Sequence, residues 1–494
     1  MIDLPKICCV VEMLKKKNYY FLLLSLHLII MGNANVFAQA TSRSTPSPST
    51  DSAPTEHLSG ARLRTEGEYL SEAKKNIEKY RKGNVTVAVA DSLGRPLRDV
   101  QVEINQETQD FLFGNLSEEM FSPRLTQEEM KTFQERFLAL FNFTELTIKW
   151  APYENQQGKP EWQKLKQKLD WCLQNGVTPK GHTLGWTHVA GTPSWLMKLP
   201  YKRATDLYKA RIHNLVGGFK KDLKMWDVVN EPVTTIPWDR ALKDTLSTVG
   251  QIDEGFRYNV KGISQEETIP WVDSSFRWAG EADPDGDFII NEFYVIAKPE
   301  IREKYFQLVK ELKRRNAPVR GVGIQAHEPR DMWFSPEEVI ATFKRFDELN
   351  LPLHITEFIP QSSGKPITGG WRQGVWDEAA QADFAEQFYT LAFGHPSMAS
   401  IHWWGLSDKM IWLKGGGLLD NNLAPKPVYN RLLHLIKEEW MTKNLKLSTN
   451  KKGEASFRGF FGNYNVVATR KDGTTKTLRA HLTQQGVNNW IITF

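Results

Sequence analysis

Two apolar runs in this sequence close in glutamate. One reads Trp226-Asp227-Val228-Val229-Asn230-Glu231-Pro232 and the other His354-Ile355-Thr356-Glu357. A short apolar run ending in a carboxyl group reads as a buried strand that presents an acid at its C-terminal end. Two such carboxyls about 5–5.5 Å apart meet the needs of glycosidic bond cleavage with retention: one protonates the leaving oxygen and the other attacks the anomeric carbon. Glu231 is assigned as general acid/base and Glu357 as nucleophile. Asn230, beside the acid, offers an amide to a sugar 2-hydroxyl as transition-state charge develops. The scheme expects Glu231 to be protonated at working pH and Glu357 to stay ionised. No cofactor is required.

Positioning two acids across one cavity requires a closed set of strands. Strand-like runs at 111–114, 145–150, 178–186, 225–231, 288–293, 321–327, 353–358 and 400–407 alternate with amphipathic helical stretches. Alternating β and α segments imply right-handed βα crossovers, and eight of them close a TIM barrel whose site lies at the C-terminal strand ends. The predicted fold class is therefore α/β, a (β/α)8 TIM barrel over 108–440, with small β-rich N- and C-terminal extensions at 67–107 and 441–494. Helices are predicted over 300–315 and 335–349, the second with Ser335 as N-cap and Glu338 completing a capping box. In the N-terminal extension a charged helix is expected over 71–81, then a β-hairpin over 85–104 about Gly94-Arg95-Pro96. The C-terminal extension holds strand-like runs at 456–458, 464–469, 477–482 and 490–494. Residues 233–270, which follow Glu231 directly, are expected to cover the aglycone side of the cleft.

The first residues define a compartment. Lys15, Lys16 and Lys17 precede an apolar run over 19–31, and Val36-Phe37-Ala38 has the small-residue chemistry of a cleavage site. This is the pattern of a signal peptide over 1–38, with Met13 as a plausible start, and it predicts a secreted or periplasmic protein. The run is too short to span a bilayer comfortably, so no membrane span is expected. Residues 39–66, rich in Ser, Thr and Pro, read as a linker.

Of three cysteines, only Cys172 lies beyond residue 38, which excludes an intramolecular disulfide in the mature chain. It falls in a helical pattern, where a buried thiol is a small hydrophobe. No grouping of Cys and His has metal-ligand spacing, so no metal is expected. The formal charge of +5 falls by two once residues 1–38 are removed, too weak a balance for a nucleic-acid partner. Seventeen tryptophans point instead to sugar rings, whose apolar faces stack on indole.

Over roughly residues 108–440 the chain resembles the family 10 glycoside hydrolases, the endo-1,4-β-xylanases. The segment from Trp226 to Pro232 looks like that family's acid/base motif, and Ile355-Thr356-Glu357-Phe358 is similar to its nucleophile motif. Gly181-His182-Thr183-Leu184-Gly185-Trp186 resembles the strand-three motif. The resemblance implies that His182 contacts the −1 sugar, with Trp186 beside it. Gly323-Ile324-Gln325-Ala326-His327 resembles the strand-six motif, implying that Gln325 lies in the site and that His327 hydrogen-bonds the nucleophile. It further implies that Glu145 and Lys149 hold the −2 sugar, and that Trp404 and Trp412 wall the glycone subsites.

Departures from the family pattern accompany the match. Leu146 stands where Asn is usual, which predicts a lost hydrogen bond to the −2 sugar. Thr187 and Val189 replace a His and a nearby Gln, Pro193 and Trp195 arrive two residues late, and Phe293 stands where Tyr is frequent. The resulting expectation is a retaining glycoside hydrolase acting on β-1,4-xylosidic bonds of xylan or xylo-oligosaccharides, its partner being the polysaccharide. The alternatives are a carbohydrate-binding protein with weak or lost catalysis, and a barrel glycosidase for another β-1,4-glycan.

Overall fold

The structure is a computed structural model that describes residues 60–235, 238, 264–327 and 331–494. The signal-peptide segment, most of the linker, and most of the stretch after Thr235 that was expected to cover the aglycone side lie outside the described residues. From Thr55 onward the chain forms one compact unit.

In chain order the strands are β1 (Lys82–Ala90) and β2 (Gln101–Gln106), followed by β3 (Leu112–Asn115), β4 (Phe143–Thr147), β5 (Thr178–Gly185), β6 (Met225–Asn230), β7 (Asp287–Glu292), β8 (Gly321–Ile324), β9 (Leu353–Phe358) and β10 (Met398–Trp403). Strands β3 to β10 pair in parallel, each with the next, and β10 returns to β3 to close the barrel. The eight-stranded barrel expected from the sequence is therefore the fold. Its strands are buried along almost their whole length, as strands enclosed by a helical layer must be. Register does the positioning: His182 pairs beside Asp227 and Asn230 beside Asn291.

Four of the described helices start on side-chain caps. Ser335 accepts from Glu338 N while the Glu338 carboxylate accepts from Ser335 N, the reciprocal box read from the sequence, and Thr126 with Glu129 and Ser264 with Glu267 repeat it. The helix predicted over 300–315 runs Pro299–Arg314, with proline in its first turn, where a missing N–H costs nothing.

The N-terminal expectations need two corrections. The first helix spans Gly60–Tyr80, so ordered structure begins inside the segment assigned to the linker and eleven residues ahead of the predicted helix start. It packs along helix Glu378–Gly394, where Gly394 lets the helices approach: a β-carbon there would come within 2.6 Å of Ala73 O. The predicted hairpin does not form. Strand β1 pairs with β12 (Glu454–Phe460) and β15 (Asn489–Thr493), whereas β2 pairs with β11 (Leu445–Ser448) and β13 (Gly462–Thr469), which β14 (Thr475–Leu482) extends. The two ends of the chain thus build two facing sheets around Val85, Val87, Val102, Ile104, Tyr464, Val466 and Trp490. Alternation puts apolar residues on one face of each strand but does not say whether the partner lies alongside it or opposite.

Candidate active site

The C-terminal ends of β4 to β10 converge on the two glutamates. Glu231 follows β6 in the left-handed region (φ 55°), and Tyr294 after β7 and Ala326 after β8 share that conformation. For residues with side chains this is a strained backbone, of the kind that concentrates where a side chain must be aimed. The strain at Glu231 is held by its N–H, which donates to Asn291 O at 2.8 Å, and by Thr235, whose hydroxyl and N–H both donate to Glu231 O.

The carboxylate of Glu231 accepts from Trp186 Nε1 at 2.9 Å on one oxygen and from Gln325 Nε2 at 3.0 Å on the other. Glu357 accepts from Asn291 Nδ2 at 2.9 Å, and that same amide donates to Asn230 Oδ1 at 2.8 Å. Thr356 fixes the amide orientation by donating to Asn291 Oδ1 at 2.7 Å. Gln325 also accepts the Glu357 N–H through its main-chain oxygen. The two acids are therefore tied to one scaffold of three amides, from Asn230, Asn291 and Gln325.

Both acids are nearly buried, 5% and 6% exposed, and burial pushes both carboxyls above their ordinary value. For Glu231 the hydrogen bonds from Gln325 and Trp186 act in the opposite direction. For Glu357 the Glu145 carboxyl adds to the rise, the Lys149 charge opposes it, and Glu231 and Asp227 add to it again. Glu357 is thus raised as well as Glu231, by burial first and by the neighbouring carboxyl groups after it, against the expectation that it stays ionised. His327 Nδ1 donates to the main-chain oxygen of Glu357 at 3.0 Å, so it positions the strand end.

Glu145 departs from expectation. Its carboxylate is 0% exposed, paired with Lys180 at 2.6 Å, and Lys180 also pairs with Asp227 at 2.8 Å. Burial raises Glu145 to about 8 despite the Lys180 charge. Burial acts to raise Asp227 too, but Lys180 and the His182 hydrogen bond outweigh it and leave it lowered. His182 Nδ1 lies 2.8 Å from Asp227 and is pushed down to about 4, chiefly by burial. Glu145 is thus enclosed with Lys180 and Asp227, and its expected contact with the −2 sugar stays a proposal. Glu145, His182 and Asp227 present donor atoms within 4.8 Å of one another, as a cation site would. The Lys180 ammonium already sits between the carboxylates and supplies the positive charge.

The remaining predicted residues line the rim. Lys149 Nζ lies 5.1 Å from the Trp186 ring and 5.5 Å from the Trp404 ring, a cation over two indoles. Trp404 meets His182 edge-on at 5.2 Å. Trp412 stacks on His327 at 5.6 Å yet is 57% exposed, an apolar face offered to solvent beside the site. Leu146 belongs to the main hydrophobic core, because side chains alternate and Glu145 takes the inner face. Beyond Trp186 the chain carries His188, which stacks on Trp186 at 4.4 Å.

Sequence reasoning missed Asn291, Lys180, Asp227 and Glu292. Asn291-Glu292 closes its run with the same residue types as Asn230-Glu231, a signal that was legible. The structure separates the two glutamates. Glu292 accepts from Val233 N, Thr234 Oγ1 and Phe293 N, so its oxygens hold the loop after Glu231, and burial raises it to about 8.

A closed barrel whose strand ends join two carboxyls through shared amides, with indoles at the rim, defines a barrel glycoside hydrolase. Residues 108–435 match the model of glycosyl hydrolase family 10, and the chain belongs to that family. It is 26% identical over 406 residues to the anti-sigma-I factor RsgI6 of Acetivibrio thermocellus, covering 81% of this chain and 47% of that protein. It is 26% identical over 305 residues to endo-1,4-beta-xylanase B of Thermotoga neapolitana, covering 59% and 79%. The chain thus spans about half the length of the first relative and more of the second. The fold is similar to a GH10 structure from Paenibacillus barcinonensis (TM-score 0.52, 20% identity, 67% of this chain and 96% of that one). It is similar also to xylanase 10B of Thermotoga petrophila RKU-1 in complex with xylobiose (TM-score 0.51, 23% identity, 67% and 95%).

Proposed function

We propose that the protein cleaves β-1,4-xylosidic bonds of xylan or xylo-oligosaccharides by double displacement. The observation that carries this reading is the amide scaffold through which Glu231 and Glu357 are held together. Family membership and the xylanase names of several relatives support the substrate class. Glu231, held between Trp186 and Gln325, protonates the leaving oxygen while Glu357 attacks the anomeric carbon, and Glu231 then deprotonates the water that releases the sugar with retained configuration. Asn230 has its Oδ1 committed to Asn291, and its Nδ2, which also donates to Glu231, carries the second N–H for a 2-hydroxyl. Lys149, Trp404 and Trp412 take the glycone sugars.

Product analysis on linear and substituted xylo-oligosaccharides is the direct test, and it should show shortened products whose new reducing ends begin in the β-configuration. Release from mannan or cellulose but not from xylan would move the substrate class. Retention on insoluble xylan with no reducing sugar released would make the protein a binder.

Lys149 carries a further prediction. Its charge lowers the Glu357 carboxyl, so Lys149→Met should raise that group further and shift the acid limb of kcat/KM to higher pH, with KM rising as well. An acid limb unchanged in the variant would show that Glu357 does not govern it.

Export belongs to the same proposal: residues 1–38 have the charged, apolar and small-residue order of a signal peptide. N-terminal sequencing of the mature protein should find a start just beyond Ala38. Among the described residues no helix is long and apolar enough to cross a membrane.

A further inference from the structure

Outside the cleft, the barrel flank carries a cavity of about 570 Å³ between the loop after β4 and helix Tyr201–Phe219. That volume lies in the range of small-molecule sites. Its walls include four aromatic side chains, Trp150, Tyr153, Trp162 and Trp195, of which Trp162 and Trp195 are only half-buried. Their orientation is built. Trp150 Nε1 donates to the Glu154 carboxylate at 2.9 Å, and Trp195 Nε1 donates to Glu154 O at 2.8 Å. Trp162 lies flat on Phe219 at 4.1 Å, and Gly218 makes room for it, since a β-carbon there would come within 2.4 Å of the indole.

A second, independent observation points into the same place. Arg211 lines the cavity while only 5% exposed. Its Nε donates to Leu184 O at 3.2 Å and its Nη2 to Ile148 O and Thr183 O, but its Nη1 is buried with no hydrogen-bond partner, and the guanidinium lies beside the rings of Trp150 and Tyr153. A guanidinium N–H left without an acceptor is costly, and an acceptor brought by a ligand would relieve that cost. Fixed indole faces, a buried donor and a polar rim that includes Asn214 match one ligand chemistry: a pyranose chain, with apolar ring faces and acceptor oxygens at their edges.

We propose that this flank cavity is a second, non-catalytic saccharide site that seats a short stretch of the β-1,4-linked polymer. The identity of the sugar rests on the function proposed above; the existence of the site does not. Binding there would raise the local concentration of polymer at the cleft by tethering, with no change in the chemistry.

The test uses titration calorimetry of the full chain with xylohexaose in a Glu231→Gln background, which prevents turnover. Two sites are expected. Ala210 is an exposed residue of the cavity wall, and Ala210→Leu should fill the space without offering a ring face, leaving one site and weakening the other at least tenfold. Trp162→Ala should do the same by removing the platform. With Glu231 intact, Ala210→Leu should leave hydrolysis of xylotriose unchanged and slow hydrolysis of insoluble xylan several-fold. A stoichiometry of one in the starting protein, or two sites that Ala210→Leu leaves unaltered, overturns the proposal. Two sites for a gluco- or manno-hexaose and none for xylohexaose would instead sink the xylan reading and keep the flank site.

Discussion

Glu357→Ala should lose at least roughly 10³-fold in kcat on xylan, the scale reached when a nucleophile is deleted from a catalytic unit. The fold should survive, because among the described residues the Glu357 carboxylate accepts from one donor, Asn291 Nδ2, and the main-chain bonds of the strand end do not involve the side chain. Glu231→Ala should lose about 10²–10⁴-fold on substrates with poor leaving groups, the range for a positioned acid or base, and much less on an aryl glycoside that leaves unaided. Azide should rescue turnover of the aryl glycoside by Glu231→Ala as a glycosyl azide of retained configuration, since the covalent intermediate still forms on Glu357. Anomeric analysis of that azide separates the roles: an inverted product, or full activity in Glu357→Ala, would remove the assignment. Rescue in Glu292→Ala in place of Glu231→Ala would transfer the acid role along β7, against the three donors that occupy the Glu292 oxygens.

The largest loss of stability is expected from Lys180→Met. Lys180 is 1% exposed and neutralises both Glu145 and Asp227, so its removal strands two carboxyl groups in the barrel interior. Breaking a buried ion pair by deleting one partner costs about 3–5 kcal/mol. The sign of the pH dependence follows from the charge removed. Asp227 is lowered in the native protein mainly by Lys180 acting against burial, and without that ammonium both Asp227 and Glu145 rise. Carboxyls raised in the folded state favour folding when protonated and oppose it once pH passes their folded values. The variant should therefore lose most stability at alkaline pH and recover part of it on acidification. Urea unfolding at pH 5 and pH 8 measures this; equal losses under about 1 kcal/mol at both would show that the cluster does not depend on its cation.

These expectations draw unequally on sequence and structure. The apolar runs and their terminal residues were legible because a strand enclosed on both faces is apolar throughout, so a carboxyl or amide at its end stands out, as in Asn230-Glu231 and Glu357. The cap at Ser335 and Glu338 was legible because a capping box is local chemistry three residues apart. The partners of Glu357 were not. Its donor, Asn291, lies 66 positions away in sequence, and its neighbours Glu145 and Asp227 come from two other strands. Likewise the alternation of residues 85–104 revealed two half-buried strands but not that each pairs with the C-terminal tract.

Residue types and short spacings by themselves determined that this chain would close eight βα units and display two acids, several indoles and a handful of amides at the strand ends. Only the tertiary structure decided which acid faces the cleft and which, like Glu292, holds a loop; that Glu145 is enclosed with Lys180; and that Arg211 meets a flank cavity with its Nη1 unanswered. The reason is physical. Local pattern sets the face on which a side chain emerges, whereas its partner, its burial and hence its protonation are set by barrel closure and strand register, which are properties of residues far apart in the chain.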